Sequence, residues 1–330
     1  MKESTRSFYV SLVQHTVARI LGCMDEALDL GELAREQALS PLHLHRILRG
    51  LLGETPLELH RRLRLERAAW RLVHTTRTVT RVAFEAGYET HESFTRSFRE
   101  AFAVSPSEYR ARGSARGEGA TCAPPISFIL PAASGIHFVP EGASAALSAS
   151  SMERTEAELL QIPWLTGEQL MQIDVQWMPE MRVAAVAHRG PYNRISEAFA
   201  KLGAVAAREG LLANRTEAPK MIAIYYDDPE STPAAELRAD AGLSVEPEAV
   251  IPDGLHTIVV PPGRYARAVH VGPYSQLGDA WARFLGQGLP QSGYRVGSGP
   301  SYELYVNNPQ NAQPAELRTE LYVFVEECPK

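Results

Sequence analysis

The stretch Ser301-Tyr-Glu-Leu-Tyr-Val306 carries one acid among aromatic and aliphatic residues. Strand alternation puts Glu303 and Tyr305 on one face, with Tyr302, Leu304 and Val306 on the other. An earlier stretch, Met221-Ile-Ala-Ile-Tyr-Tyr226, has the same alternation, with Ala223 and Tyr225 at the equivalent places. A carboxylate buried among rings is costly unless a cation meets it or a proton neutralises it. A lipophilic cation would supply both a charge for Glu303 and cation–π contact for the rings. If this face lines a cleft, the rings around Glu303 are Tyr192, Tyr225, Tyr274, Trp281 and Tyr305. An internal arginine, such as Arg182, Arg264 or Arg318, is the alternative partner for Glu303. The other chemistry-bearing group is a set of arginines, dense at Arg61, Arg62, Arg64, Arg67 and Arg71 and again at Arg96 and Arg99. Arginine suits phosphate and guanine recognition, although such clusters also form on solvated helix faces.

An internal repeat positions the acid. The run from Arg182 to Leu202 lies over that from Arg264 to Phe284, matching His188/His270, Gly190/Gly272, Pro191/Pro273, Tyr192/Tyr274, Ala198/Ala280 and Phe199/Trp281. Further on, Tyr225/Tyr305, Pro229/Pro309 and Glu236-Leu-Arg238/Glu316-Leu-Arg318 also match. Two copies of this length are too few and too long for a solenoid. They predict two βα-type units packed as a pseudo-dimer with a cleft between them. The carboxylate at 303 and the alanine at 223 break that symmetry. Pro191 and Pro273 read as helix-starting turns, and Tyr192 and Tyr274 as either pocket or packing residues. His188 and His270 read as satisfied strand-end histidines.

Residues 1–112 read as helical. Asp29 and Glu32 have capping-box spacing before a short helix. Ser40-Pro41 starts another, whose apolar face is Leu44, Ile47, Leu48 and Leu51. Pro56 opens a helix to about His74, roughly 28 Å long at 1.5 Å per residue. Val79–Ala86 and about Thr90–Ala101 form a second short pair. Both pairs have a helix-turn-helix layout. Gly87 supplies the positive φ that the second turn requires. Ala38 stands at the matching place in the first turn, which predicts a slightly strained or differently shaped turn there. A rigid joining helix of this length is of the right order to hold two recognition helices in successive major-groove segments, about 34 Å apart.

The run Leu63–Arg110 resembles the DNA-binding domain of the AraC/XylS transcription regulators, and the resemblance covers about residues 10–112. It implies that the helices at 41–52 and 90–101 enter the major groove. Base-reading candidates are then Leu42, His45 and Arg46, followed by His91, Glu92, Ser93 and Arg96. Arginine can contact guanine bidentately, and glutamate can accept from cytosine N4. Arg49, Arg61 and Arg99 are read as phosphate contacts, which position without specifying. DNA-repair relatives use a metal-bound cysteine, and no cysteine cluster stands here to support that activity. The repeats around 188–192 and 270–274 resemble gyrase-inhibitor-like effector-binding domains, over about residues 173–327. The order of the two modules is similar to that of Rob-type regulators. This second resemblance implies a glutamate at the base of an aromatic pocket.

The expected fold class is multidomain. An N-terminal all-α tandem helix-turn-helix domain (1–112) precedes a linker and unassigned segment (113–172) and a C-terminal α+β domain of two repeats (173–330). The expected partners are double-stranded promoter DNA, a small-molecule effector, aromatic or cationic, and RNA polymerase. No cofactor, metal site or catalytic residue is expected. Hydrolysis or drug sequestration by the C-terminal module is the alternative, and a protein-docking role for it is a third reading.

Composition agrees with this division. The chain has 330 residues, 45% apolar and 22% charged, which excludes a mostly disordered chain, a collagen-like chain or a coiled-coil rod. No apolar run reaches the ~18 residues of a membrane span, and the N-terminus lacks a secretory pattern. Three scattered cysteines, Cys23, Cys122 and Cys328, fit a reducing cytoplasm better than a disulfide framework. Residues 1–113 carry 17 Lys and Arg against 14 Asp and Glu, while the net charge of the whole chain is −6. A mildly basic module thus precedes an acidic one. Two helix-turn-helix units make a monomer sufficient, and the oligomeric state stays open.

Overall fold

Helices begin where the sequence offers caps. Ser40 Oγ accepts from the His43 amide (3.2 Å) ahead of Pro41. Thr55 and Glu58 form a full capping box ahead of Pro56. Thr78 and Thr90 cap the next two helices. Asp29 Oδ1 accepts from the Glu32 amide (2.9 Å). Each cap satisfies donors that a helix start leaves orphaned.

The computed structural model describes residues 3–114, 127–140, 171–211 and 218–328. The helices in its first part are α1 (Glu3–Gly22), α2 (Leu30–Glu36), α3 (Pro41–Leu52), α4 (Pro56–His74), α5 (Val79–Glu85), α6 (His91–Phe102) and α7 (Pro106–Ser114). The chain splits into two compact units. One comprises Met1–Tyr9, Ala34–Leu51 and Gly167–Lys330, and the other Val10–Leu33 and Leu52–Thr166. These units cut across the 1–112 boundary expected from sequence, because Ala34–Leu51, which carries α3, packs with the C-terminal residues.

The helical unit is built on α4. Leu65, Ala68, Ala69 and Leu72 of α4 pack with Val82 and Ala83 of α5, Phe94 and Phe98 of α6, and Tyr109 of α7. Between α5 and α6, Gly87 has φ 78°. That left-handed backbone favours glycine, and a Cβ there would only push aside the flexible end of Arg64. Several of the clustered arginines serve structure. Arg62 pairs with Glu54 (2.7 Å) and Glu66 (3.0 Å), Arg67 with Asp25 (2.8 Å), and Arg71 with Glu85 (3.1 Å). Arg61, Arg96 and Arg99 are exposed.

Residues 127–140, unassigned from sequence, form a strap on α4. The fully buried Glu66 accepts from the amides of Leu130 and Phe138 (2.9 Å each), and Leu130 joins the core. Most of the expected linker and unassigned segment at 113–172 lies outside the described residues.

The other unit is organised by an eight-stranded antiparallel sheet. Its strands are β1 (Ile173–Met178), β2 (Met181–Arg189), β3 (Met221–Tyr225), β4 (Arg238–Val245), β5 (His256–Val260), β6 (Gly263–Val271), β7 (Tyr294–Tyr305) and β8 (Arg318–Glu327). The spatial order is β1-β6-β8-β7-β3-β4-β2-β5. Exchanging each strand for its counterpart in the other repeat reverses this order onto itself, so a pseudo-two-fold axis passes between β3 and β7. The leading strands are exchanged. β1 pairs with β6 of the second repeat and β5 with β2 of the first, which the sequence repeat did not reveal.

Helix α8 (Ile195–Arg208) packs Ala198, Leu202 and Ala206 on Val186, Ala241 and Leu243 of the sheet. Its counterpart is α9 (Leu277–Arg283), which continues through a π-helical turn, Phe284–Gly288, into α10 (Leu289–Ser292). The opposite sheet face carries Ile222, Ile224, Tyr265, Tyr302 and Tyr322. Alternation of residues 301–305 therefore runs as expected, with Glu303 and Tyr305 on the helix side.

Candidate functional site

Glu303 lies at the centre of the sheet. Its Cα partner across β3 and β7 is Ala223. Because these two residues are each other's counterparts in the repeat, the pseudo-two-fold axis passes through the pair. Glu303 is only 3% exposed. Trp281 Nε1 donates to its Oε1 (2.8 Å) and Tyr305 Oη donates to its Oε2 (2.7 Å). Burial pushes the Glu303 carboxyl above the usual carboxylate range. The two hydrogen bonds, the Arg46 charge and His270 oppose that shift.

The rings follow the pseudo-symmetry. Tyr225 and Tyr305 join hydroxyl to hydroxyl (3.1 Å). Tyr192 packs edge-on to Tyr225 (4.7 Å between centroids), and Tyr274 packs likewise on Tyr305 (5.2 Å). Phe199 meets Tyr305 at 5.5 Å, and Trp281 is 1% exposed. Tyr192 Oη donates to the Asp227 carbonyl (2.8 Å), and burial pushes its phenol up to about 12. All six residues expected around a cleft thus form one cluster. The arginines weighed as partners of Glu303 go elsewhere: Arg182 to the Pro247 and Ala249 carbonyls, Arg264 to Glu327, and Arg318 towards Glu320.

The cation beside the cluster comes from α3. Arg46 Cζ stands 4.2 Å from the centroid of the Trp281 ring. Burial lowers the Arg46 guanidinium to about 10, against the pull of Glu303, Tyr225, Tyr192 and Asp228, so it stays charged at neutral pH. Other polar side chains of α3 are engaged as well. His43 Nε2 lies 3.2 Å from Ser301 Oγ. His45 Nδ1 is 2.8 Å from Asp228 Oδ1 and 3.4 Å from Glu230 Oε2, an ion pair when the ring is protonated. Burial opposes that protonation, but the two carboxylates outweigh it and raise His45 to about 9. Arg49 Nη2 meets Asp279 at 2.9 Å. Leu42 is 4% exposed and packs inward, so it presents no side chain to a groove in this structure.

Sequence reasoning did not find Asp228, Glu230, Asp279 or Ser301 as partners of α3. They lie more than 180 residues away along the chain, and no periodicity reports such a contact. Gly50 carried the one available signal. A glycine inside an amphipathic helix weakens it unless a backbone must come close. Here a Cβ on Gly50 would fall 2.0 Å from the Ala282 carbonyl oxygen, and one on Gly286 would fall 2.5 Å from Gly50 Cα.

In the helical unit, α6 presents a continuous polar face. His91, Glu92, Arg96 and Arg99 are exposed, Ser93 is half-buried, and Phe94 and Phe98 anchor the opposite side. His91, Glu92, Thr95, Arg96 and Arg99 line an open concavity. Among the described residues, no group of three His, Cys, Asp or Glu side chains is placed to hold a metal ion. No helix of the described residues is long and apolar enough to cross a membrane.

Comparison with known proteins matches residues 171–326 to the GyrI-like small molecule binding domain and residues 33–112 to a helix-turn-helix domain. A DNA gyrase inhibitor of Yersinia enterocolitica is 42% identical over 91 residues, which is 26% of this chain and 58% of that protein. The crystal structure of the EcmrR C-terminal domain is 22% identical, covers 48% of this chain and 99% of its own, and superposes with a TM-score of 0.39. An AraC-type regulator structure from Chromobacterium violaceum is 24% identical, covering 32% of this chain and 96% of its own, with a TM-score of 0.31. With the α5–α6 turn and the Glu303 cluster in place, the chain joins a helix-turn-helix domain to a GyrI-like small molecule binding domain, the architecture of a ligand-responsive transcription regulator.

Proposed function

We propose that this ligand-responsive regulator senses an aromatic or lipophilic cation at the Glu303 cluster and couples its capture to transcription from the DNA it binds. One observation carries the ligand class: a buried carboxylate on the pseudo-two-fold axis, ringed by aromatic side chains. Burial raises its pKa, so an incoming cation is what would favour the ionised form. The surrounding rings attract the same cation through their quadrupoles.

On the DNA side, the face of α6 supports base reading by His91, Glu92, Ser93 and Arg96, with Arg61 and Arg99 on phosphates. The order of helix-turn-helix and small-molecule domains supports a reading of activation through RNA polymerase in the cytoplasm alongside the DNA. The C-terminal module is read as a binder rather than a hydrolase. Both oxygens of Glu303 accept hydrogen bonds from Trp281 and Tyr305, which leaves the carboxylate poorly placed as a general base.

Calorimetric titration with tetraphenylphosphonium, a neutral aromatic of similar size and an aromatic sulfonate tests the ligand class. Saturable binding of the cation alone, weakened at least ten-fold in Glu303→Gln, is expected. Binding of the neutral or anionic compound, unchanged in Glu303→Gln, would reassign the ligand class. Turnover of an ester probe that Glu303→Gln abolishes would favour the hydrolase reading.

A further inference from the structure

Arg46 stands where a cationic effector would stand. Its guanidinium lies over Trp281, the ring that hydrogen-bonds Glu303, and Glu303 is the strongest of the charges holding it protonated. We propose that Arg46 is a built-in ligand of the Glu303 cleft, and that a cationic effector competes with it and releases α3 for DNA. The proposal rests on the reading of the cleft as a cation site.

The contact has the marks of a built one. Four neighbouring polar side chains of α3, His43, His45, Arg46 and Arg49, each meet a specific partner: Ser301, Asp228 with Glu230, Trp281 and Asp279. The surfaces close backbone to backbone at Gly50 and Gly286, and Gln287 Nε2 reaches the Gly50 carbonyl (3.4 Å). Interfaces that approach this closely are fitted.

The same α3 side chains, His45 and Arg46 for bases and Arg49 for phosphate, are those expected to touch DNA. Asp228, Glu230 and Asp279 present carboxylates to them much as a duplex presents its acceptors. One guanidinium cannot sit over Trp281 and in a major groove at once. Docking of α3 and its use on DNA therefore exclude each other. An exogenous cation over Trp281 removes the docked state, so effector and DNA favour the same open form. By linkage, each tightens the binding of the other. A guanidinium is planar, delocalised and weakly hydrated. The effector it imitates is accordingly a flat or charge-diffuse cation rather than a compact ammonium.

Calorimetry on the full chain with tetraphenylphosphonium chloride tests this. If α3 is docked in about nine molecules of ten, apparent affinity is reduced by that same fraction. Arg46→Ala should then bind the probe about ten-fold more tightly than wild type, and Arg46→Lys by an intermediate factor. Arg49→Glu, on an exposed pair where folding is not at risk, sets a repulsive charge against Asp279 and should tighten binding about two-fold with Arg46 intact. Hydrogen exchange of residues 41–52 should accelerate when the probe binds wild type. Wild-type binding with Arg46→Ala equal or weaker, and no change in α3 exchange, would overturn the built-in ligand while leaving the cation cleft standing. Absence of binding to both wild type and Arg46→Ala would remove the cation cleft itself, and this proposal with it.

Discussion

Ala223 and Glu303 face each other as Cα partners on the pseudo-two-fold axis of the sheet, one position related to itself except for a single carboxylate. Two acids there would repel at close range, and two alanines would leave the rings no charge to share. Asymmetry at this one pair leaves a single buried carboxylate among the paired rings.

Placing a second carboxylate on the axis should therefore be damaging. Ala223→Glu would bury a like charge opposite Glu303, with a cost of about 3–5 kcal/mol for an uncompensated buried charge. Thermal unfolding should show a large fall in Tm at pH 8 and a smaller one near pH 5, where protonation relieves the repulsion.

Cation binding should depend on pH in a defined direction. The Glu303 carboxyl is raised by burial, and a bound cation favours its ionised form. Binding consequently releases protons, and affinity strengthens as pH rises through the raised pKa. Titrations of tetraphenylphosphonium at a series of pH values should show this slope in wild type and a flat profile in Glu303→Gln.

His45 makes the opposite contribution on the α3 side. Its pKa rises from an ordinary 6.5 to about 9 in the folded chain. The stability it adds is therefore complete below 6.5 and lost as pH climbs through about 9. His45→Gln should cost about 1–3 kcal/mol at pH 6, since buried acceptors on Asp228 lose their partner. At pH 10 the variant and wild type should unfold alike in denaturant titrations.

Base reading from α6 and phosphate positioning from α4 should be separable. Arg96→Ala should relax preference at one base pair by about 1–3 kcal/mol. Arg61→Ala should weaken all sequences equally and reduce the salt slope by about one. Selection from a random duplex pool, followed by salt titration on the selected site, distinguishes the two.

Local patterns carried the elements and much of the site. The cap at Ser40, the Asp29 and Glu32 spacing, Gly87 in its turn and the alternation of 301–305 all rest on interactions within a few residues. Ala38, standing where glycine is expected, does adopt a positive φ of 53°. The repeat named Tyr192, Tyr225, Tyr274, Trp281 and Tyr305 around Glu303, because duplication preserves equivalent places. The order of the helix-turn-helix and GyrI-like modules was legible instead from two resemblances, carried by Leu63–Arg110 and by the repeats around 188–192 and 270–274.

Other features arise only on folding. The exchange of β1 and β5 between repeats depends on edge pairing that either repeat could satisfy. The strap at 127–140 is held by Glu66, whose burial no local pattern announces. Arg46 has the same side chain whether it reads a base or covers Trp281. Sequence determined that α3 presents a polar, cationic face. The tertiary structure alone decided that this face meets Asp228, Asp279 and Trp281 of the Glu303 cluster, because the choice rests on close approach at Gly50 and Gly286 between segments more than 200 residues apart.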